Sequence, residues 1–103
     1  MIVNVIGAGL AGCEASYQLL KRGVKVNLYD LKPNNFTPAH KNPNFAELVC
    51  SNSLKSMDKE SAKGLLKQEL LLLDSLLIKV AYETKVPAGQ SLAVDRDEFS
   101  KVV

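Results

Sequence analysis

Two short stretches of the chain combine residue types and spacings that can do chemistry. Gly7-Ala8-Gly9-Leu10-Ala11-Gly12 has the pattern G-x-G-x-x-G, and Asp30 lies 18 residues past its last glycine, near the roughly 20 expected of a dinucleotide fingerprint. Each position has its own reason: Gly7 permits a tight turn, Gly9 lets the backbone approach a pyrophosphate, and Gly12 lets a helix pack close to a strand. Asp30 can accept hydrogen bonds from adenosine ribose hydroxyls, and its charge disfavours a 2′-phosphate there. The implied ligand is an adenine dinucleotide, FAD or NAD rather than NADP. The second stretch, Phe45 to Ser56, reads FAELVCSNSLKS. It sets Cys50 beside an apolar anchor of Phe45, Leu48 and Val49, with Ser51, Asn52, Ser53 and Lys55 close in sequence. Oriented donors and a positive charge lower a thiol pKa and favour the nucleophilic thiolate. On the residues alone, Cys50 reads equally as a catalytic thiol or as a buried structural cysteine, since no Cys/His pair exists.

For the glycines to act they must lie between a strand and a helix. Ile2 to Ile6 is an apolar run suited to a buried parallel strand. Ala15, Leu19 and Leu20 then fall on one side of a helix that Gly23 can end, and Val24 to Tyr29 reads as a second strand. Unpaired N–H groups at the helix start face the phosphates, favoured by the macrodipole. Cys13 sits in that first turn, where a lowered thiol pKa is conceivable, although a small packing residue beside the nucleotide loop is the simpler role.

The thiol stretch needs a different support. From Lys32 to about Lys55, three prolines (Pro33, Pro38, Pro43) with Asn34, Asn35, Asn42 and Asn44 break both periodicities. A long loop is expected, returning to the body at FAELVCSNS. Asp58 is placed to cap one long amphipathic helix from about Lys59 to Thr84. Leu66, Leu70, Leu73, Leu77 and Val80 form its stripe, which Leu65, Leu72 and Leu76 widen beyond what so short a chain needs. VPAGQ turns the chain, Ser91 to Val94 reads as a strand, and Asp95 with Glu98 makes a D-x-x-E capping box for a last helix. That helix reaches Val103 without Gly, Pro or a capping residue, the pattern of a chain cut off rather than finished.

Bulk properties narrow the class. The 103 residues allow one domain, and 47% apolar with 23% charged residues argues against a disordered or fibrous chain. A net charge of +2 with scattered lysines shows no concentrated basic face, so RNA is neither implied nor excluded. Cys13 and Cys50 are the only cysteines and His40 the only histidine. No disulfide framework and no metal site are expected, and the default setting is reducing and cytoplasmic. The LAGC stretch at Leu10 to Cys13 resembles a lipoprotein cleavage box, but the first basic side chain is Lys21 and polar and glycine residues interrupt the candidate apolar segment. No apolar run is long enough to span a membrane.

Five segments in order, VNVIGAGLAGCEASYQLLKRGVKVNLYDLKP, TPAHK, FAELVCSNSLKS, GLLKQELLLLDSLL and VPAGQSLAVDRDEFS, resemble the start of the bacterial folate- and FAD-dependent tRNA (uracil-5-)-methyltransferases. The first segment is shared with a related family that modifies the tRNA wobble uridine; LVCSNSLKS and PAGQSLAVDRDEFS decide for the methyltransferases. The resemblance covers nearly the whole chain but only the amino-terminal quarter or so of such an enzyme. It implies an enzyme that takes a one-carbon unit from methylenetetrahydrofolate, with reduced FAD as reductant and NAD(P)H to re-reduce the flavin, and places it on C5 of a uracil in the tRNA T-loop.

Residue by residue, the resemblance puts Gly7, Ala8, Gly9, Leu10, Ala11, Gly12 and Asp30 at FAD, with Asp where Glu is usual. It puts Cys50 at the uracil, as nucleophile at C6 or as acid/base at C5. A thiolate added at C6 makes C5 an enolate-like carbon able to attack an iminium methylene, after which a base must take the C5 proton. The family pattern also includes a second, downstream cysteine that this chain lacks. Some small-genome bacteria use a member of the family on ribosomal RNA, and the Lys- and Asn-rich composition keeps that substrate as the alternative, alongside a stand-alone dinucleotide-binding module without catalysis. The expected fold is therefore α/β. A Rossmann-like FAD-binding β-α-β is followed by a long loop, a long amphipathic helix and a further strand-helix. Together, residues 1–103 form the amino-terminal part of one incomplete flavoprotein domain that needs the remaining chain to work.

Overall fold

The computed structural model describes all 103 residues. β1 (Ile2–Ile6), α1 (Leu10–Lys21) and β2 (Lys25–Tyr29) form the expected β-α-β, with β1 and β2 parallel and in register from Ile2 opposite Lys25 to Ile6 opposite Tyr29. Gly23 ends α1 as anticipated, in the left-handed region at φ +77°. The buried face of α1 is not the one the leucine spacing indicates. Cys13 and Ser16 are buried, whereas Ala15 and Leu20 are exposed. Small side chains face inward because α1 lies close on the two strands, a contact that Gly12 sets.

After the long loop come β3 (Ser53–Ser56), α2 (Ala62–Leu72), α3 (Leu76–Glu83), β4 (Lys85–Val86), β5 (Ser91–Val94) and α4 (Arg96–Val102). β5 is the centre of a three-stranded antiparallel sheet, flanked by β3 and β4. The loop is therefore shorter than expected. Ser53 to Ser56 pairs with β5, so the polar SNS run enters a sheet, with a register shift between Ser53 and Ser56. Serine carries no apolar periodicity, which is why the pairing is silent in the sequence.

The single long helix is two. Leu73, Asp74 and Ser75 break it, with Asp74 at φ +63° and Ser75 accepting from the Ile78 N–H at 3.3 Å as the cap of α3. Asp tolerates the left-handed region better than most residues, and the break leaves the leucine spacing undisturbed, so periodicity alone cannot reveal it. The cap of α2 is also reassigned. Ser61, not Asp58, accepts from the Gly64 N–H at 3.1 Å, while Asp58 takes the Glu60 N–H in the preceding turn. At α4 the box is half formed: Asp95 accepts from the Asp97 and Glu98 N–H groups, but its own N–H donates to the Thr84 carbonyl rather than to Glu98.

The core lies under the second sheet. Leu92, Val94 and Phe99 are fully buried with Val80 and Ala81, and the cluster extends through Leu48 and Ala46 to Ala8 and Cys13. Burial of side chains such as Phe99 and Leu92 is worth about 1.5–3 kcal/mol each. Leu65, Leu66, Leu72 and Leu73 remain largely exposed along α2 and its end, so the wide leucine stripe is not covered within these residues. No helix is long and apolar enough to cross a membrane.

Candidate functional site

The glycine turn joins β1 to α1 at the carboxyl ends of the two parallel strands, the place where open α/β sheets hold ligands. Gly7 adopts φ +97°, which a side chain would strain, and its N–H donates to the Tyr29 carbonyl at 2.7 Å. A Cβ on Gly12 would lie 1.8 Å from the Gly7 carbonyl oxygen, so glycine there is a packing requirement. At Gly9 an added Cβ would meet nothing within 4 Å, so no contact inside this chain demands glycine.

Gly9 caps α1 without any side-chain hydrogen bond, and no acidic residue lies in the first turn. The Leu10, Ala11 and Gly12 N–H groups therefore have neither an intrahelical partner nor an acid of their own to answer the helix dipole. This donor set suits an anion such as a pyrophosphate. Asp30 stands at the end of β2, exposed, its Oδ1 accepting from the Ala8 N–H at 3.4 Å. A cavity of about 320 Å³ opens between Ile6, Gly7, Tyr29, Asp30 and Leu31. Gly7 and Asp30 line this groove, and the uncapped helix start follows the same turn along the chain. Larger cavities of about 420 and 460 Å³ lie elsewhere, one beside Lys41 and Arg96 and one between Gln18 and Leu73.

Cys13 fills the small packing role. It is buried and its thiol donates to the Ala8 carbonyl at 3.4 Å, behind the turn. Burial pushes its pKa up, against the opposing effect of the Ala46 N–H, so the lowered pKa conceivable from its helical position is not realised.

Cys50 is exposed, which removes the reading of a buried structural cysteine. Of the anticipated anchor only Leu48 is buried; Phe45 and Val49 are exposed, and Ala46, fully buried, takes the larger share. The Ala46 N–H donates to the Ala8 carbonyl at 2.8 Å, and its own carbonyl accepts from Ser100 Oγ at 3.3 Å. The loop is thereby pinned onto the glycine turn four residues before the thiol.

Downstream, the Val94 N–H donates to the Asn52 carbonyl at 2.9 Å, and Asn52 Nδ2 donates to the Val94 carbonyl at 3.2 Å. The polar neighbours do not serve the thiol as anticipated. Ser51 and Ser53 accept from the Ser53 and Lys55 N–H groups and Asn52 is held by β5, so all three build the approach to β3.

Two residues outside the sequence-based candidates matter to this arrangement. Lys32 and Glu47, both nearly buried, pair at 3.2 Å, and Lys32 Nζ also donates to the Asn42 and Asn44 carbonyls. Glu47 accepts from the Lys41 and Asn42 N–H groups at 2.9 and 3.0 Å. Burial pushes the Glu47 pKa up, but these N–H groups and Lys32 outweigh it and hold the carboxyl below its ordinary value. The pair folds the Pro/Asn loop back against Ala46. A K-P-N-N start and an F-A-E return 15 residues apart was the available signal.

Comparison with known proteins gives the family of the chain. The family model described as Glucose inhibited division protein A matches residues 2–103. A Thermosipho melanesiensis protein named methylenetetrahydrofolate--tRNA-(uracil-5-)-methyltransferase TrmFO is 59% identical over 103 residues, covering 100% of this chain and 24% of that protein. Proteins of the same name from Fusobacterium nucleatum and Lactobacillus gasseri are 62% and 60% identical over 101 residues, covering 98% of this chain and 23% of each. The chain thus spans about a quarter of the length of the curated relatives it matches.

Proposed function

Because the chain belongs to the Glucose inhibited division protein A family, and because its relatives are named as folate-dependent tRNA uracil methyltransferases, we propose that it is the Rossmann-like FAD-binding amino-terminal part of such an enzyme. The observation that carries the reading is the pinning of an exposed thiol, Cys50, to the glycine turn through the Ala46–Ala8 hydrogen bond. The glycine turn and the segment that carries the exposed thiol are thereby joined directly.

In this reading the Leu10, Ala11 and Gly12 N–H groups bind the FAD pyrophosphate, and Asp30 receives the ribose hydroxyls. Bound there in reduced form, FAD supplies the electrons that turn a methylene into a methyl group. The carbon comes from methylenetetrahydrofolate, NAD(P)H restores the flavin, and the substrate is a tRNA uracil. The setting is the reducing cytoplasm, where a free thiol persists. Cys50 as thiolate forms a C–S bond to C6 of the uracil, the C5–C6 electron pair moving toward C5 and O4. C5 then bonds the incoming methylene carbon and yields its proton to a base; the bond from that carbon to its carrier nitrogen breaks, and as hydride reaches the carbon the C5–C6 double bond re-forms and the C6–S bond breaks, returning the Cys50 thiolate. In the alternative role Cys50 is that base.

Two variants test the proposal in the full-length protein. Cys50→Ala is expected to retain its flavin and to lose methyl transfer; full methylation by that variant would remove Cys50 from the chemistry. Gly9→Val is expected to abolish flavin binding, read by absorbance and fluorescence titration. Unchanged binding would show that the glycine turn is not the dinucleotide site.

A further inference from the structure

Glu14 lies two residues past the last glycine of the turn and is used by another helix. Its carboxylate accepts from the Leu76 N–H at 3.0 Å, the Leu77 N–H at 3.3 Å, Gln18 Nε2 at 3.0 Å and the Ser75 hydroxyl. Leu76 and Leu77 are the first two residues of α3, whose N–H groups have no partner within their own helix. A side chain of α1 therefore caps α3, beside the local cap from Ser75, and places negative charge at the positive end of its dipole. Burial raises the Glu14 pKa, but the hydrogen bonds from Ser75, Gln18, Leu76 and Leu77 outweigh it, so the carboxyl titrates below its ordinary value.

The consequence reaches Cys50, which hangs between two anchors. Ala46 is tied to the glycine turn, and Asn52 is tied to β5 through Val94. α3 packs against β5 and α4. A shift of α3 relative to α1 therefore carries β5, and with it Asn52, relative to the turn that holds Ala46. The ion pairs at this corner, Lys21 and Lys79 to Asp74, are a third to a half exposed and contribute little; Lys79 Nζ also donates to the Tyr17 hydroxyl at 3.1 Å and Gln18 Nε2 to the Asp74 carbonyl at 3.2 Å, one hydrogen bond each against the four that Glu14 accepts.

We propose that Glu14 is a positioning residue: by capping α3 from α1, it fixes the spacing between the dinucleotide-binding turn and the Cys50 thiol. Its activity readout rests on the function proposed above, whereas its geometric readout does not. The geometric test uses the full-length protein with spin labels on Cys50 and on exposed Ala15→Cys in α1, other exposed cysteines being replaced by serine. The distance distribution is expected to be narrow, and to shift or broaden in Glu14→Ala. An unchanged distribution in that variant overturns the proposal.

In unlabelled protein, Glu14→Ala is expected to lower kcat per bound flavin by about tenfold or more, since small misplacements of reacting groups are costly. KM and flavin content should stay close to those of the parent. Glu14→Gln, which keeps an acceptor oxygen, should fall between the two, and Lys79→Ala at the same corner should change neither readout. A merely structural Glu14 would lower thermal stability and leave kcat per flavin and the label distance intact. Where Glu14→Ala does not fold, Ser75→Ala decides by the same two readouts, with a smaller loss expected. A parent enzyme without methyl transfer would refute the proposed function, and the label distances would still decide the role of Glu14.

Discussion

The glycine turn and the thiol segment are both held by hydrogen bonds to main-chain carbonyls, but the bonds reach over different distances. Gly7 pairs with Tyr29, Cys13 with Ala8 and the Ala8 N–H with Asp30, all within the first thirty residues, and the Ala46 N–H on the Ala8 carbonyl reaches the turn from outside them. Ala46 and Asn52 pair with Ser100 and Val94, 54 and 42 residues away, as well as with Ala8 and the strand approach. The difference teaches that the glycine turn is largely a local module, whereas the Cys50 thiol is placed by the assembled fold. Changes in the turn should disturb both; changes in the distant partners should move the thiol and spare the turn.

The largest effect is expected from Gly12→Ala, whose Cβ would overlap the Gly7 carbonyl. A loss of about 3 kcal/mol or more in urea unfolding is expected, as for severe overpacking, with loss of flavin binding. Gly9→Ala, which meets open space, should leave stability within about 0.5 kcal/mol. Equal losses in the two variants would break the picture of a turn set by one close approach.

Ala46 gives the next effect. It is fully buried at φ +52°, so Ala46→Val should cost about 2–3 kcal/mol through strain and crowding, while Ala46→Gly should stay within about 1 kcal/mol. Paired denaturation curves check this, and a tolerated valine would mean that the pin on Ala8 is not rigid.

The two thiols sharpen the comparison further without changing stability. In the native protein an alkylating reagent should label exposed Cys50 and spare buried Cys13 until unfolding, as peptide mass analysis would show. Labelling of both at similar rates would contradict the packing of Cys13 under the turn.

The smallest effect is acid dependence. Glu47 has a depressed pKa in the folded state, so its contribution is complete above the ordinary value of 4.5 and is lost as pH falls through the lower folded value. The Lys41 and Asn42 amide resonances should follow that titration while the Gly12 amide holds its position. Simultaneous movement of all three would show that loop and turn respond as one unit.

How much could be read beforehand follows the same division. G-x-G-x-x-G, the first two strands and Asp30 are written in contiguous residues and the fold places them in the expected order, but β1 is not the buried strand its apolar run suggests: Ile2 and Ile6 are exposed, because β1 pairs only with β2. Exposure of Cys50 was not legible, because it depends on Ala46 being drawn inward by Ala8 and Ser100. Nor was the break at Asp74, since the leucines keep their period across it. Glu14 has one partner in its own helix, Gln18; Ser75, Leu76 and Leu77 reach it from 61 to 63 residues away, so its capping role is not written in its neighbours.

The parallel pair β1–β2 has no third strand, so both of its edges are unpaired, and Ile2, Ile6 and Tyr29 are more than half exposed. Free edges with apolar neighbours are templates for strand addition by other copies. Handled by itself, this chain is therefore expected to self-associate as its concentration rises, and protein concentration is the first variable to control in any flavin titration performed on it.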